Sequence, residues 1–179
     1  MWPLGKLLSR ESSVEPVSAA AVAMNEGAAK PLKGANIELS DRAGDASHIV
    51  ESLIKYNLQQ AGPSNYRPLT LAARDQAGQL VGGITGSTYW GWLVINCFWI
   101  DESWRGRGLG TSLLRAAEQE AIARGCHSSQ LESFSFQNWE FYEAHGYERY
   151  GTLEDFPFEH QRMSFRKRLG GPFDGKAVS

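Results

Sequence analysis

The run Arg105-Gly106-Arg107-Gly108-Leu109-Gly110-Thr111 holds the residues whose types and spacing could most plainly do chemistry. Glycines at alternate positions let the main chain come close to a ligand and turn successive N–H groups into one concavity. Directly after them the apolar period becomes 3.6. Leu109, Leu113, Leu114, Ala117, Ala121 and Ile122 share one face, and Arg115, Glu118, Glu120 and Arg124 the other. A helix that begins here aims its unpaired N–H groups and positive dipole end into the same concavity, and two guanidinium groups add fixed charge. The predicted ligand is a phosphate or pyrophosphate.

Several elements must position that run. Residues 92–100 are almost wholly apolar, β-branched or aromatic, the pattern of a strand buried on both faces. Gly125 ends the helix as a left-handed residue. His127 to Phe134 is the next strand, parallel to 92–100 through a right-handed crossover. Upstream, residues 69–74, the turn Asp75-Gln76-Ala77-Gly78, residues 80–90 and the central strand form an antiparallel meander, with Gly82, Gly83 and Gly86 marking a bulge or a close backbone approach. Asn36 to Leu39 reads as a short first strand. Asp45 caps a helix with Ile49, Val50, Leu53, Ile54, Asn57 and Leu58 on one face, closed by Gly62-Pro63. Downstream, Asn138 caps a short helix that runs to His145 and stops at Gly146, and 147–152 with 162–169 make a closing hairpin.

Residue types alone leave the phosphate ligand open. A Walker loop needs Gly-Lys-Ser/Thr after its last glycine, which is absent. A dinucleotide turn needs a glycine where Thr111 stands, yet Glu132 sits where a ribose-binding acid would fall. That reading stays as an alternative, although the preceding strands look antiparallel and too few residues follow for a second nucleotide-binding half. Length bounds the rest: 179 residues support one domain that buries about 70% of its unfolded surface. Residues 1–35 read as a flexible tail, because Glu11 and Glu15 interrupt any secretory apolar run, 36–169 as the domain, and 170–179 as a disordered tail. With 18 basic and 20 acidic residues the net charge is −2, which argues against nucleic acid or an anionic membrane as partner. Two cysteines point to a reducing, cytoplasmic compartment, four histidines lack metal-ligand spacing, and no stretch is long enough to span a membrane.

Arg105-Gly-Arg-Gly108-Leu-Gly110 resembles the Q/R-x-x-G-x-G/A signature of the GCN5-related N-acetyltransferases (GNAT), whose loop binds the pyrophosphate of acetyl-CoA. Asn138-Trp-Glu-Phe141-Tyr142-Glu-Ala-His-Gly146-Tyr147 resembles that family's N-x-x-x-x-F/Y-Y-x-x-x-G-F/Y segment, one residue shorter before the aromatic pair. The two lie in the family's order, about 30 residues apart, within a likeness covering roughly residues 36 to 169. The resemblance implies an α/β (α+β) domain: a mixed sheet of about six to seven strands, an antiparallel meander and then a parallel pair splayed around the cofactor, with helices on both faces. The cofactor would be acetyl-CoA (coenzyme A).

On that resemblance the cofactor would be held by Arg105 through Thr111, by main-chain groups of Phe98, Trp99 and Ile100 along the pantetheine arm, and by Asn138, Phe141 and Tyr142. Tyr142 would protonate the departing sulfur. The glutamate that serves as base in histone-type members falls at Val94, so the base is missing there; Glu132 on the neighbouring strand is the substitute. The loop before the last strand borders the acceptor in the family. Here Glu154, Asp155 and Phe156 place carboxylates beside aromatics, a set suited to an ammonium. Together with Tyr89, Trp90 and Trp92 they suggest a small cationic primary amine, attacked directly in a ternary complex; Tyr56 and Tyr66 are further candidates. The partner would be a small molecule, with the chain a monomer or homodimer. A non-catalytic acyl-CoA sensor on the same fold, or a dinucleotide- or SAM-binding enzyme, are the competing readings.

Overall fold

In the computed structural model, which describes residues 34–35 and 37–170, the central strand β3 (Trp92–Ile100) alternates rather than burying both faces. Leu93 and Ile95 are buried, whereas Cys97 is exposed and Trp99 is 47% exposed. One face of the strand carries the core; the other is open. Around it the sheet has six strands in the order β1-β2-β3-β4-β6-β5, with β1 Arg67–Arg74, β2 Leu80–Tyr89, β4 Ser128–Phe134, β5 Glu148–Leu153 and β6 Arg162–Arg168. The meander β1-β2-β3 is antiparallel, β3 and β4 run parallel, and β6 inserts antiparallel between β4 and β5. The mixed α+β architecture is as expected, with six strands.

Helix α2 (Leu109–Ala123) explains the parallel pair, because its crossover returns the chain beside β3. Its Leu113, Leu114, Ala117 and Ala121 pack on Leu69, Ile84, Leu93, Ile95, Leu131 and Phe165. Helix α3 (Glu140–Ala144) adds Phe141 and Tyr142 to the same cluster. Asn138 does not cap α3; the residue before the helix is Trp139, with no side-chain cap bond.

Two other expectations change. No strand forms at 37–39, so the short first strand is absent among the described residues, and Asn36 lies outside them. Helix α1 (Asp45–Ala61) forms where its period predicts, but has no buried residue: Ile49, Ile54 and Leu58 are all more than half exposed. Amphipathic spacing specifies a helix and a stripe, not a partner for it. The described residues up to Ser47 and those from His48 onward form separate units; in the first, Glu38 pairs with Arg42 at 2.7 Å, and Ser40 hydrogen-bonds Asp45. Of the expected tails, 1–35 and 170–179, residues 1–33 and 171–179 lie outside the described residues.

Candidate active site

The hydrogen-bonded register of β3 and β4 runs from Trp92↔Ser128 to Ile95↔Leu131 and stops. A bulge sits at that point. Thr85 of β2 pairs with Cys97 and the next residue, Gly86, with Ile95, so Asn96 is an extra residue in β3. Such an insertion bends its strand and breaks the ladder. Of the two roles expected for the glycines of β2, both are found: Gly86 borders this bulge, Gly82 borders a second register shift against β1, and Gly83 and Gly86 are required by close approach. A Cβ on Gly86 would stand 2.3 Å from the Val94 carbonyl oxygen, and one on Gly83 would stand 2.6 Å from that of Leu71. Past the bulge, Cys97 to Ile100 keep β2 on one side, β4 stays with β6 as far as Phe134↔Arg162, and a fork opens between the parallel strands.

A cavity of about 670 Å³ fills this fork. Phe98, Trp99 and Ile100 line it from β3, Ser133 from β4, Arg105, Gly106, Gly108, Gly110 and Thr111 from the loop and the start of α2, and Asn138, Phe141 and Tyr142 from α3. Eleven of the residues expected around the cofactor are thus brought together. Two are not among the lining: Leu109, which packs on the core, and Arg107, whose guanidinium lies 5.6 Å from the Trp104 ring. Sequence reasoning missed Trp104, Ser133, Phe136 and Gln137. Trp104 directly precedes Arg105, the one signal that could have included it.

The loop is shaped by its own bonds. Asp101 accepts from the Ser103 N–H at 2.9 Å and caps a single 3-10 turn, Glu102–Trp104. Arg105 Nε donates to the Ile100 carbonyl at 3.2 Å, holding the loop against the end of β3. Gly106 and Gly108 have φ of 71° and 81°, the left-handed region in which a side chain is strained. Gly108 is also the N-cap of α2 and offers no side chain to the helix's first amides, so those amides are left for a ligand.

Tyr142 is packed by Phe98, Phe141, Tyr147 and Phe165, with ring centroids 5.4–6.4 Å apart. Burial pushes its phenol up to about 12, so it holds its proton at any physiological pH. Tyr147 is raised further by burial, and its hydroxyl donates to Ser129 Oγ at 2.9 Å. Thr111, at the start of α2, and His145, at the end of α3, join the two helices, Oγ1 to Nε2 at 3.0 Å.

The residues expected at the acceptor fall into two groups. Tyr89 and Trp92, with Trp90, Val94 and Gln130, line a second hollow of about 330 Å³ on the sheet face that α2 and α3 leave open. Tyr66 approaches Tyr89 at 6.4 Å between centroids; Tyr56 is 58% exposed. Glu154, Asp155 and Phe156 lie beyond the other end of β4, where Phe156 is 6.2 Å from Phe134, and Phe134 stacks on Phe136 at 5.1 Å. The six steps along β4 from Ser128, which pairs with Trp92, to Phe134 span about 20 Å of strand, so one small pocket does not hold both groups; the fork lies between them. The carboxylates are partly engaged: Glu154 accepts from Gln161 Nε2 at 3.0 and 3.2 Å, and Asp155 from the Glu159 N–H at 3.3 Å. Glu132 pairs with Arg162, whose guanidinium lies 5.0 Å from the Phe156 ring.

A splayed parallel pair, a glycine loop that opens a helix, and a buried tyrosine thus line one cavity, with helix amides turned toward it. Comparison with known proteins gives the family. Residues 38–147 match the Acetyltransferase (GNAT) family, and the chain belongs to that family. It is 33% identical over 120 residues to acetyltransferase Atu2258 of Agrobacterium fabrum, covering 66% of this chain and 88% of the relative. It is 38% identical over 95 residues to the blasticidin-S acetyltransferase of Streptomyces morookaense, covering 51% and 70%. The crystal structure of an acetyltransferase from Bacillus cereus superposes with a TM-score of 0.71 at 35% identity, covering 76% of this chain and 99% of that one. No helix among the described residues is long and apolar enough to cross a membrane.

Proposed function

We propose that this acetyltransferase uses acetyl-CoA to acetylate a primary amine on a small molecule, by direct attack within a ternary complex. The observation that carries the reading is the fork itself: unpaired main chain of β3 on one wall, the glycine loop at one end, and the Tyr142 phenol reaching the same cavity. Bound acetyl-CoA supplies an acetyl thioester. The amides at the start of α2 and the Arg105 guanidinium hold its diphosphate, and main-chain groups of Phe98 to Ile100 hold the amides of its arm in the manner of an added strand. A main-chain N–H near Phe98 or Trp99 meets the developing oxyanion. Tyr142 keeps a proton for the departing sulfur, and Phe98 and Phe141 exclude water beside it.

The open face of the sheet admits the amine. Glu132 is on that face, but its carboxylate is engaged by the Arg162 guanidinium. In this reading the ammonium loses its proton to solvent on the open face, and Glu132 holds Arg162 over Phe156 and thereby the acceptor loop. Tyr89, Trp90 and Trp92 offer flat faces to the body of the acceptor, and the 154–156 carboxylates draw in its positive charge. Likeness to an enzyme named for blasticidin S supports a small molecule over a protein tail.

The test pairs binding with turnover. Acetyl-CoA at about a hundredfold excess over its dissociation constant should add about 2.7 kcal/mol of stability in thermal melts, while NAD and SAM add none. A panel of aryl- and alkyl-substituted primary amines should then release free CoA thiol. Stabilisation by NAD or SAM in place of acetyl-CoA overturns the donor; binding without thiol release across the panel overturns the acceptor class.

A further inference from the structure

The bond between Thr111 and His145 has a direction that its surroundings determine. His145 Nδ1 lies 2.7 Å from the main-chain oxygen of Phe141, and Nε2 lies 3.0 Å from Thr111 Oγ1. A carbonyl can only accept, so Nδ1 carries the hydrogen. In the neutral ring Nε2 is then a bare acceptor, and Thr111 must donate to it. Thr111 is also the third residue of α2 and lines the cofactor cavity. With its hydrogen spent on His145, it turns only lone pairs toward the cavity, and a diphosphate oxygen there would meet repulsion. One proton added to Nε2 reverses this. The imidazolium donates to Oγ1, and the Thr111 hydrogen is released to donate to the ligand.

We propose that His145 is a positioning residue for the diphosphate of acyl-CoA, taking up a proton as the cofactor binds and thereby turning Thr111 from acceptor to donor. The proposal rests on the acetyl-CoA reading and adds a residue that makes no contact with the cofactor. It also explains why one side chain ties α2 to α3: the same imidazole aligns the phosphate loop with the helix that carries Tyr142.

The charges around the ring are consistent with a cofactor-driven change. α2 and its loop carry Arg105, Arg107 and Arg115, together with the helix's positive end. α3 carries Glu140 and Glu143, Tyr142 stays neutral, and the Phe141 ring lies 4.2 Å from the imidazole centroid. From β6, Lys167 lies beside Gly146 but is paired with Glu118 at 2.8 Å; from β5, Arg149 is over Trp139. The incoming diphosphate is the largest added charge in this set.

The test is calorimetry with 3′-dephospho-CoA, chosen because the 3′-phosphate of CoA itself titrates near pH 6. Titrations at about pH 5.5, 6.5 and 7.5 cover the window in which an imidazole changes charge, and two buffers of different ionisation enthalpy report proton uptake. Wild type should bind about tenfold more weakly at the top of the window than at the bottom, with net proton uptake. In His145→Gln the amide is a donor at every pH, so slope and uptake should vanish. In Thr111→Val, which keeps shape but lacks the hydroxyl, the slope should shrink to below about threefold, the residue of through-space charge. A flat wild-type profile, or a full slope in either variant, overturns the proposal. Absence of binding at every pH would instead remove the acetyl-CoA reading, a separate result.

Discussion

The two ends of the β3–β4 pair offer a ligand different means of recognition. Between Trp92 and Ile95 the strands are hydrogen-bonded, so the main chain is used up and only side chains, Tyr89, Trp90, Trp92 and Gln130, are offered to a ligand. From Cys97 onward the main chain of β3 has lost that partner, and glycines extend the same idea into the loop. Recognition by main chain suits an invariant donor, because it depends on backbone shape alone. Recognition by side chains suits an acceptor that differs from one acetyltransferase to the next, because substitutions there leave the sheet unchanged.

The contrast can be broken at several points. The largest effect should come from Tyr142→Phe, which removes the proton for the leaving sulfur and should lower kcat by about 10²–10⁴ with little change in KM. Because burial holds the phenol protonated to about 12, wild-type kcat should show no alkaline limb from this group below about pH 11. A kcat within a few-fold of wild type in the variant would leave Tyr142 as packing only. Trp92→Ala should act on the acceptor alone. It should raise KM for aryl-substituted amines by about tenfold, in line with the loss of one stacked aromatic face, while acetyl-CoA affinity measured by calorimetry holds. A change in acetyl-CoA affinity instead would mean that the two ends are not separate. The smallest effect should be that of Glu132→Gln, less than about threefold in kcat with the pH–rate profile unmoved, since the carboxylate is paired to Arg162. A shift of the acidic limb would restore Glu132 as the base.

The same division decides what could be read from the amino acids. The loop was legible because alternate glycines before an amphipathic helix have few other uses, and the meander, the crossover and the closing hairpin followed from apolar period and turn residues. The fork was legible only through family resemblance. Its cause, the extra residue at Asn96, shows in the sequence as a change of parity: Leu93 and Ile95 are core residues, and so are Phe98 and Ile100. Reading 92–100 as buried on both faces hid that change and misplaced Cys97. The acceptor side was the least legible. Tyr89 and Trp92 meet through a two-residue turn, but Glu154 to Phe156 were grouped with them on chemistry alone, and no local pattern states that about 20 Å of strand lies between. The bond from Thr111 to His145 joins residues 34 apart with no periodic relation.

The bulge makes the fork proposed to admit the donor a matter of one amino acid. Dropping Asn96 would restore regular alternation, since Leu93, Ile95, Phe98 and Ile100 would then follow each other at every second position and all keep their inward aspect. The core would be undisturbed and the ladder free to continue toward Ser133, closing the doorway. An opening set by an insertion rather than by loops can be gained or lost in a single deletion event without unfolding the chain, so its presence is a stronger mark of use than any feature of the core beneath it.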